Sequence, residues 1–597
     1  VYEGYTFRGF LDFFPSQANQ LIDGVLQQGN RINTQLANVD RVEVLKGPSS
    51  ALYGGGAIGA TVNIIRKKPS TQPVYDFSAA AGQWGLGRSA FGAGGRLSDR
   101  ASYRVDIGGE RKDGYRHNET TRVQVAPSLA WRLGDSHQFN TYYTFNRDHF
   151  AGDAGIPVLP SGAFPAVARD TNLRTPFDFA RVHDHNLQFA YARQLNASWG
   201  VRNTFSYRPV KDHYLVTEYL SMTSDRDVYR EFLQFTHYRK PVTNLAEITG
   251  NLGGRMMHKV VAGWEVQRFG NRTDTTPGGG VIDAAGIDLF DPVESQTAPD
   301  TTIVRERYTT QTTNAFYVQD NLVLSDRLKA AVGGRVDAFR WNRYDINPLT
   351  RAQGPTTTRD ANALTGRVGL VYQPSSRLDV YGSFATSFRP LTQAQPDGSS
   401  LDPERGRQVE LGQRLHVMND RVQVTAAYFD IVKNNVAFSR PNGVFAQVGE
   451  ITSRGLEVDL STSLVSNWRV NGGYGFTNAR FGDYQVDDTT NLQGNRAIMA
   501  PRHILNLWTS YDWASGLGIN VGVRAQSDMV VDDANALTVA GYGLLNLAAR
   551  YRRGAFEYAL NVNNATSTEY FSSALYQTQL YPGDPINVVG TLRIRLR

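Results

Sequence analysis

The chain has 597 residues, with 57 Gly, 29 Tyr, 29 Phe and no Cys; 41% of residues are hydrophobic and 11% aromatic. That balance excludes a disordered chain, and the lack of Cys excludes disulfide frameworks and Cys-based metal sites. A net charge of +6, with Arg scattered among acids, offers no nucleic-acid stripe, and no segment approaches the roughly 18 apolar residues of a membrane-spanning helix.

Residues 1–70 read as short mixed segments: "GYTFRGF", "NQLIDGVLQQ", "DRVEVLKG" and "TVNIIRKKP". Val1 falls inside a pattern and no signal peptide precedes it, so the chain is expected to lack its own N-terminus. The run "ALYGGGAIGA" raises the question of a phosphate cradle. A phosphate loop needs G-x-x-x-x-G-K-[ST] opening a helix. Here Lys46 precedes the glycines, and "ATVNIIRKKP" is β-branched strand material. Gly54, Gly55, Gly56 and Gly59 are therefore predicted to serve tight turns and close backbone approach. The basic tail "RKKP" is expected to meet a polar lumen or the periplasmic side.

From residue 71 one unit returns: about ten residues of alternating polarity, then a connection. "RVQVTAAYFDIV" sets Val422, Val424, Ala426 and Tyr428 opposite Arg421, Gln423 and Thr425. "AFEYALNVNN" sets Phe556, Tyr558, Leu560 and Val562 opposite Glu557, Asn561 and Asn563. Period two means strand, with one face wet. Short turns such as "LSDRAS", "RLGDSH" and "VMNDR" alternate with long loops at Asp148–Val182, Phe269–Thr310 and Arg389–Arg407. Apolar-out, polar-in strands in an up-and-down meander match a transmembrane barrel, which must close because lipid tolerates no free sheet edge. A soluble propeller would show a fixed blade repeat, and none is visible. The count reaches about 22 strands, roughly 24 residues per strand and connection, which suits spanning strands of about 9–11 residues. A barrel that wide carries a plug. The predicted architecture is an all-β transmembrane barrel of antiparallel strands over residues 71–597, closed around an incomplete α+β plug in residues 1–70.

At this point the chain resembles a known family. "TFRGF", "LIDGV" and "VDRVEVLKGPSSALYGGGAIGATVNIIRKKP" look like the second half of the plug of TonB-dependent outer-membrane receptors. "AFYVQDNLVLSDRLKAAVGGRVDAF", "GRVGLVYQPSSRLDVYGSFATSFRP", "LDPERGRQVELG", "SRGLEVDL" and "LNVNNATSTEYF" resemble landmarks of the ferric-siderophore branch, of ferrichrome or hydroxamate type. The resemblance implies a monomer in bacterial outer-membrane lipid that binds ferric siderophore outside and imports it with energy from the TonB complex. It implies no covalent chemistry, no cofactor and no nucleic-acid partner; Fe(III)-siderophore is the transported ligand. The sequence departs from the family in lacking a TonB box and in ending at Arg597 rather than on an aromatic residue. The rivals are another nutrient (cobalamin, haem or carbohydrate) and a passive porin or adhesin.

The chemistry of single residues adds little to an enzyme reading. "HDH" puts His183 and His185 on one strand face, with no third ligand in view. No nucleophile elbow occurs, and no His lies between Phe388 and Glu404 to ligate haem. A siderophore already saturates its iron, so its receptor needs a concave aromatic site with a few donors. Arg and Tyr suit that task. The resemblance nominates Arg8 of the "RGF" motif, Gln28 in an apical plug loop, its neighbour Arg31, and Tyr214 and Tyr219 in "SYRPVKDHYLVTEYL", read as rising into a long loop. The alternative is that Arg8 pairs with the wall and the tyrosines belong to the rim.

Overall fold

The computed structural model describes residues 5–12, 18–27, 35–56, 58–254, 256–276, 280–281, 286–293, 298–392, 400–439, 445–447, 449–487, 489–575 and 579–596. The N-terminal part contains β1 (Tyr5–Phe7), β2 (Phe10–Asp12), β3 (Ala18–Ile22), β4 (Val25–Leu26), β5 (Val39–Lys46), a single-turn helix α1 (Ser50–Tyr53) and β6 (Ala60–Arg66). β1 and β2 form a hairpin. The other four make one mixed sheet in the order β4-β3-β6-β5, with β3 parallel to β6. Asp23 closes the β3–β4 turn by accepting the Arg66 backbone N–H at 3.0 Å and Arg66 Nε at 2.6 Å.

Val74–Gly82 opens the wall, and Asn587–Leu596 closes it by pairing back, with Thr591 opposite Ala80. The wall is a closed antiparallel barrel. Trp199–Tyr207 and Val210–Met222 pair in turn with Phe179–Gln194 and act as one interrupted strand; the barrel then has 22 spanning strands, as the spacing predicts. The alternation has its expected consequence. Phe316, Leu364, Leu411 and Leu456 point outward and are each more than half exposed, whereas Gln124, Asp184, Arg335 and Asp337 point inward and are at most 2% exposed. An apolar outer face needs no partner in lipid, while inward polar groups find theirs across the lumen. No helix among the described residues is long and apolar enough to cross a membrane.

Strand length departs from the predicted ten residues. Asp227–Leu252 runs for 26 residues and Arg305–Ser325 for 21. Strand pairing continues past the membrane because each added residue satisfies its backbone groups on a neighbour. The segment holding Tyr214 and Tyr219 is therefore strand, not the long loop expected, and residues 223–226 alone connect it to Asp227–Leu252.

Candidate ligand and gating site

Arg8 and Gly9 make the β1–β2 turn, with φ of 48° and 83°. A Cβ on Gly9 would lie 2.2 Å from the Ala479 Cβ of the wall, so the close approach and the positive φ both select glycine. That approach drives the Arg8 side chain into the wall. Nη2 donates to Glu457 Oε2 at 2.8 Å, and Nη1 to Glu410 Oε2 at 2.9 Å and Gln408 Oε1 at 3.1 Å. The guanidinium carbon sits 4.3 Å from the Phe429 ring centroid. Ser453 donates its hydroxyl to the Arg8 carbonyl, and Lys46 Nζ reaches Glu457 Oε2 at 3.1 Å. Phe10 and Ile58 of the plug pack with Phe429 and Ile431 of the wall, all buried. Charge-assisted bonds in so dry a place are strong and directional.

The glycine run makes the second junction. α1 precedes the glycines and β6 follows them, the reverse of a phosphate loop. Gly54 has φ 78°, and a Cβ there would meet Arg335 Nη2 at 2.9 Å. Gly55 lies flat against Phe388, where a Cβ would come within 3.1 Å of the ring. Gly56, with φ 116°, donates its N–H to the Phe388 carbonyl at 2.9 Å. The predicted close approach is present, but its partners Phe388 and Arg335 carry no sequence signal. Arg335 itself is held by Asp337 at 2.9 Å and Glu265 at 2.7 Å.

A third, polar junction lies beside the plug sheet. Gln35 donates to Asp148 at 2.6 Å, Asn38 to Thr144 at 3.1 Å, and Arg66 to Gln188. Arg208 donates to Asp184 and, at 2.7 Å, to Gln27. A cavity of about 40 Å³ sits among Asn38, Arg66, Gln124, Asp184 and Asn186. Lys67 of the basic tail reaches the Ala37 carbonyl at 2.7 Å and Asp106 at 3.3 Å, a lumen contact.

Toward the extracellular end the inner wall becomes aromatic. Tyr214 is 8% exposed and buried with Phe150, Ala180, Val182, Val210 and Val216. Its ring centroid is 5.4 Å from that of Phe235 and 6.0 Å from that of His237, and the last two stack 5.6 Å apart. Asp178 locks the neighbouring loop: it accepts the Thr217 N–H at 2.7 Å and hydroxyl at 3.0 Å, and the Thr175 hydroxyl at 2.6 Å. Tyr219 pairs with Glu231 just past a register shift. Gln28 and Arg31 lie outside the described residues. Arg8 touches the strands from Glu404 to Val465, and Tyr214 stands on another sector, so the structure does not bring these two together. Phe235 and His237 were missed in the sequence because they face Tyr214 only through cross-strand pairing.

Above the plug, residues from four extracellular loops meet: Val158, Met499, Met529, Val531, Val539 and Leu580, with Leu11 of the plug packed beneath them. His183 and His185 flank the inward Asp184 and so face outward; His185 meets the Tyr143 hydroxyl at 2.8 Å. Among the described residues no group of three or more His, Asp or Glu could hold a metal ion.

Residues 130–565 match the family "TonB dependent receptor-like, beta-barrel", and residues 2–61 match "TonB-dependent Receptor Plug Domain". The ferrichrome outer membrane transporter/phage receptor of Escherichia coli is 28% identical over 660 residues, covering 100% of this chain and 84% of the relative. The metal-pseudopaline receptor CntO of Pseudomonas aeruginosa is 26% identical over 578 residues, covering 94% and 80%. The crystal structure of the siderophore receptor PiuA from Acinetobacter baumannii superposes with a TM-score of 0.87 at 21% identity, covering 100% of this chain and 91% of that one, a likeness of fold. The chain belongs to the TonB-dependent receptors, plugged β-barrel proteins of the bacterial outer membrane.

Proposed function

We propose that this receptor binds a ferric siderophore at its extracellular face and imports it, as a monomer, with energy from the TonB complex. The observation that carries this is a lumen stopped by a plug held to the wall through buried charge pairs, Arg8 with Glu410 and Glu457. A passive pore has no use for such a stopper, and a pump must move it. The relatives support the cargo: they are named for ferrichrome, ferrioxamine B and catecholate siderophores. Iron enters as part of a saturated chelate, so the protein supplies shape and hydrogen bonds rather than metal ligands.

In this reading Tyr214, with Phe235 and His237 behind it, presents an aromatic face to the cargo; Tyr219, Gln28 and Arg31 are ligand candidates by family resemblance alone. Ligand contact by Arg8 requires it to release Glu410 or Glu457. Binding there would favour a loosened plug, because only a difference in contacts between two states can shift them.

Thermal unfolding of the purified full-length receptor tests the cargo. Ferric ferrichrome, ferrioxamine B and a ferric catecholate are added in turn; a true ligand raises the unfolding temperature by mass action. If none does and cobalamin, haem or a carbohydrate does, the siderophore assignment is wrong.

A further inference from the structure

We propose that a basic patch on the outer wall, just above the apolar band, clamps a phosphorylated lipid headgroup of the outer leaflet. Arg147, His183 and Lys211 stand in one cross-strand row, and His149, Arg181 and His213 in the next row outward. These positions alternate with lumen-facing residues, so all six point away from the barrel. Arg147, His149, Arg181, His183 and Lys211 are exposed. Charge is segregated across the wall here: Asp148, Asp184 and Asp212, the acids that alternate with these residues, are buried on the lumen side at no more than 2% exposure. Among the described residues no carboxylate pairs with Arg147, Arg181 or Lys211.

The strand lengths set the height of the patch. His137–Phe150 rises for 14 residues from the short turn "RLGDSH" toward the long connection that precedes Phe179–Gln194. Roughly 9–11 residues cross lipid, which brings Arg147 to the outer boundary. Below it the same face is apolar and aromatic, with Phe139 37% and Phe189 46% exposed. Near the periplasmic turn Trp131, Phe139 and Tyr191 form a ring cluster, with successive centroids 6.0 and 4.9 Å apart. Such aromatic girdles mark a membrane interface, so the patch lies at the opposite one.

Like charges on neighbouring strands repel, and a bound anion removes that cost. Rings orient the cations. The Arg181 guanidinium lies 4.7 Å from the Phe179 centroid, and Tyr238 sits between Lys211 at 5.4 Å and Arg272 at 4.6 Å. Arg272 is already held by Asp274 at 2.7 Å, so the patch ends there. Two other outward arginines are neutralised in the same way, Arg340 by Asp360 and Arg454 by Asp430, each at 2.8 Å. A guanidinium offers a phosphate two parallel donors, and the histidines add ring N–H donors beside it. Neighbouring strands lie about 4.8 Å apart, so Arg147 and Lys211 flank a site about 10 Å wide, the scale of a headgroup. The leaflet itself delivers a lipid anion at this height, and juxtaposed basic residues draw it in.

The test titrates the purified full-length receptor, in a neutral maltoside detergent, with diphosphoryl lipid A, phosphatidylethanolamine and inorganic pyrophosphate, and reads bound ligand by native mass spectrometry. The parent should bind diphosphoryl lipid A in preference to phosphatidylethanolamine. Arg147→Gln with Lys211→Gln should weaken that binding about tenfold or more. Arg340→Gln with Arg454→Gln removes as much charge from paired positions and should bind as the parent does. Arg147→Lys with Lys211→Arg should also bind as the parent does, which separates loss of charge from loss of fold. The proposal is overturned if the parent shows no preference, if the Arg147/Lys211 glutamine variant binds like the parent, or if the control pair loses as much. It is overturned too if pyrophosphate binds as tightly as the lipid with the same dependence on Arg147 and Lys211, since the patch would then serve soluble anions. None of these readouts depends on the siderophore assignment.

Discussion

The wall from Arg104 to Ser453 and the wall from His503 to Leu596 share one strand pattern but meet the plug differently. The first buries inward charges, among them Arg104, Asp106, Asp184, Glu265, Arg335 and Asp337. The second leaves Asn520, Asn546 and Asn561 half-buried. The outward faces do not differ in kind, since both must satisfy lipid. What differs is where the inward charges find their partners: Glu410 and Glu457 of the first sector pair with Arg8 of the plug, while the second sector pairs its charges within the wall, Asp512 with Arg469 and Arg550, and Glu557 with Arg552 and Arg593.

Substitutions can break this contrast. Arg8→Ala should cost the most, about 3–5 kcal/mol at the plug–wall junction, because it strips Glu410 of its cation and leaves Glu457 with Lys46 alone. Calorimetry should show the loss, and Arg8→Lys should recover part of it. Gly9→Ala comes next, at about 1–3 kcal/mol, from strain at positive φ and the contact with Ala479; the same calorimetry reads it. Asp178→Ala should cost about 1–3 kcal/mol locally by stranding the Thr217 N–H and the Thr175 hydroxyl. Hydrogen exchange should rise around Thr217 while the rest of the barrel keeps its protection. On the second sector Asn546→Ala should stay within about 0.5 kcal/mol of the parent, since Asn546 is only half-buried. A large loss there would erase the distinction between the sectors.

The sequence showed the fold well and the contacts poorly, for physical reasons. Period-two alternation is local, so Val422 to Tyr428 could be placed on the lipid face from the residues alone. Strand ends were not legible, because above the membrane they depend on what the neighbouring strand offers; Asp227–Leu252 is the case in point. The glycine run declared that something approaches closely, but Phe388 and Arg335 lie about three hundred residues away in sequence. Arg8 was visible as a motif residue, while its carboxylates Glu410 and Glu457 looked like any other inward acids. Tyr214 was nominated by resemblance; its companions Phe235 and His237 emerge only once Asp227–Leu252 folds back on it.

Single-channel conductance in planar bilayers tests most directly whether one sector holds the stopper. The full-length receptor carrying Arg8→Ala with Lys46→Ala is compared with one carrying Asn520→Ala with Asn561→Ala. The account predicts frequent large openings for the first pair and silence, as in the parent, for the second. Silence in both, or equal opening in both, would contradict it.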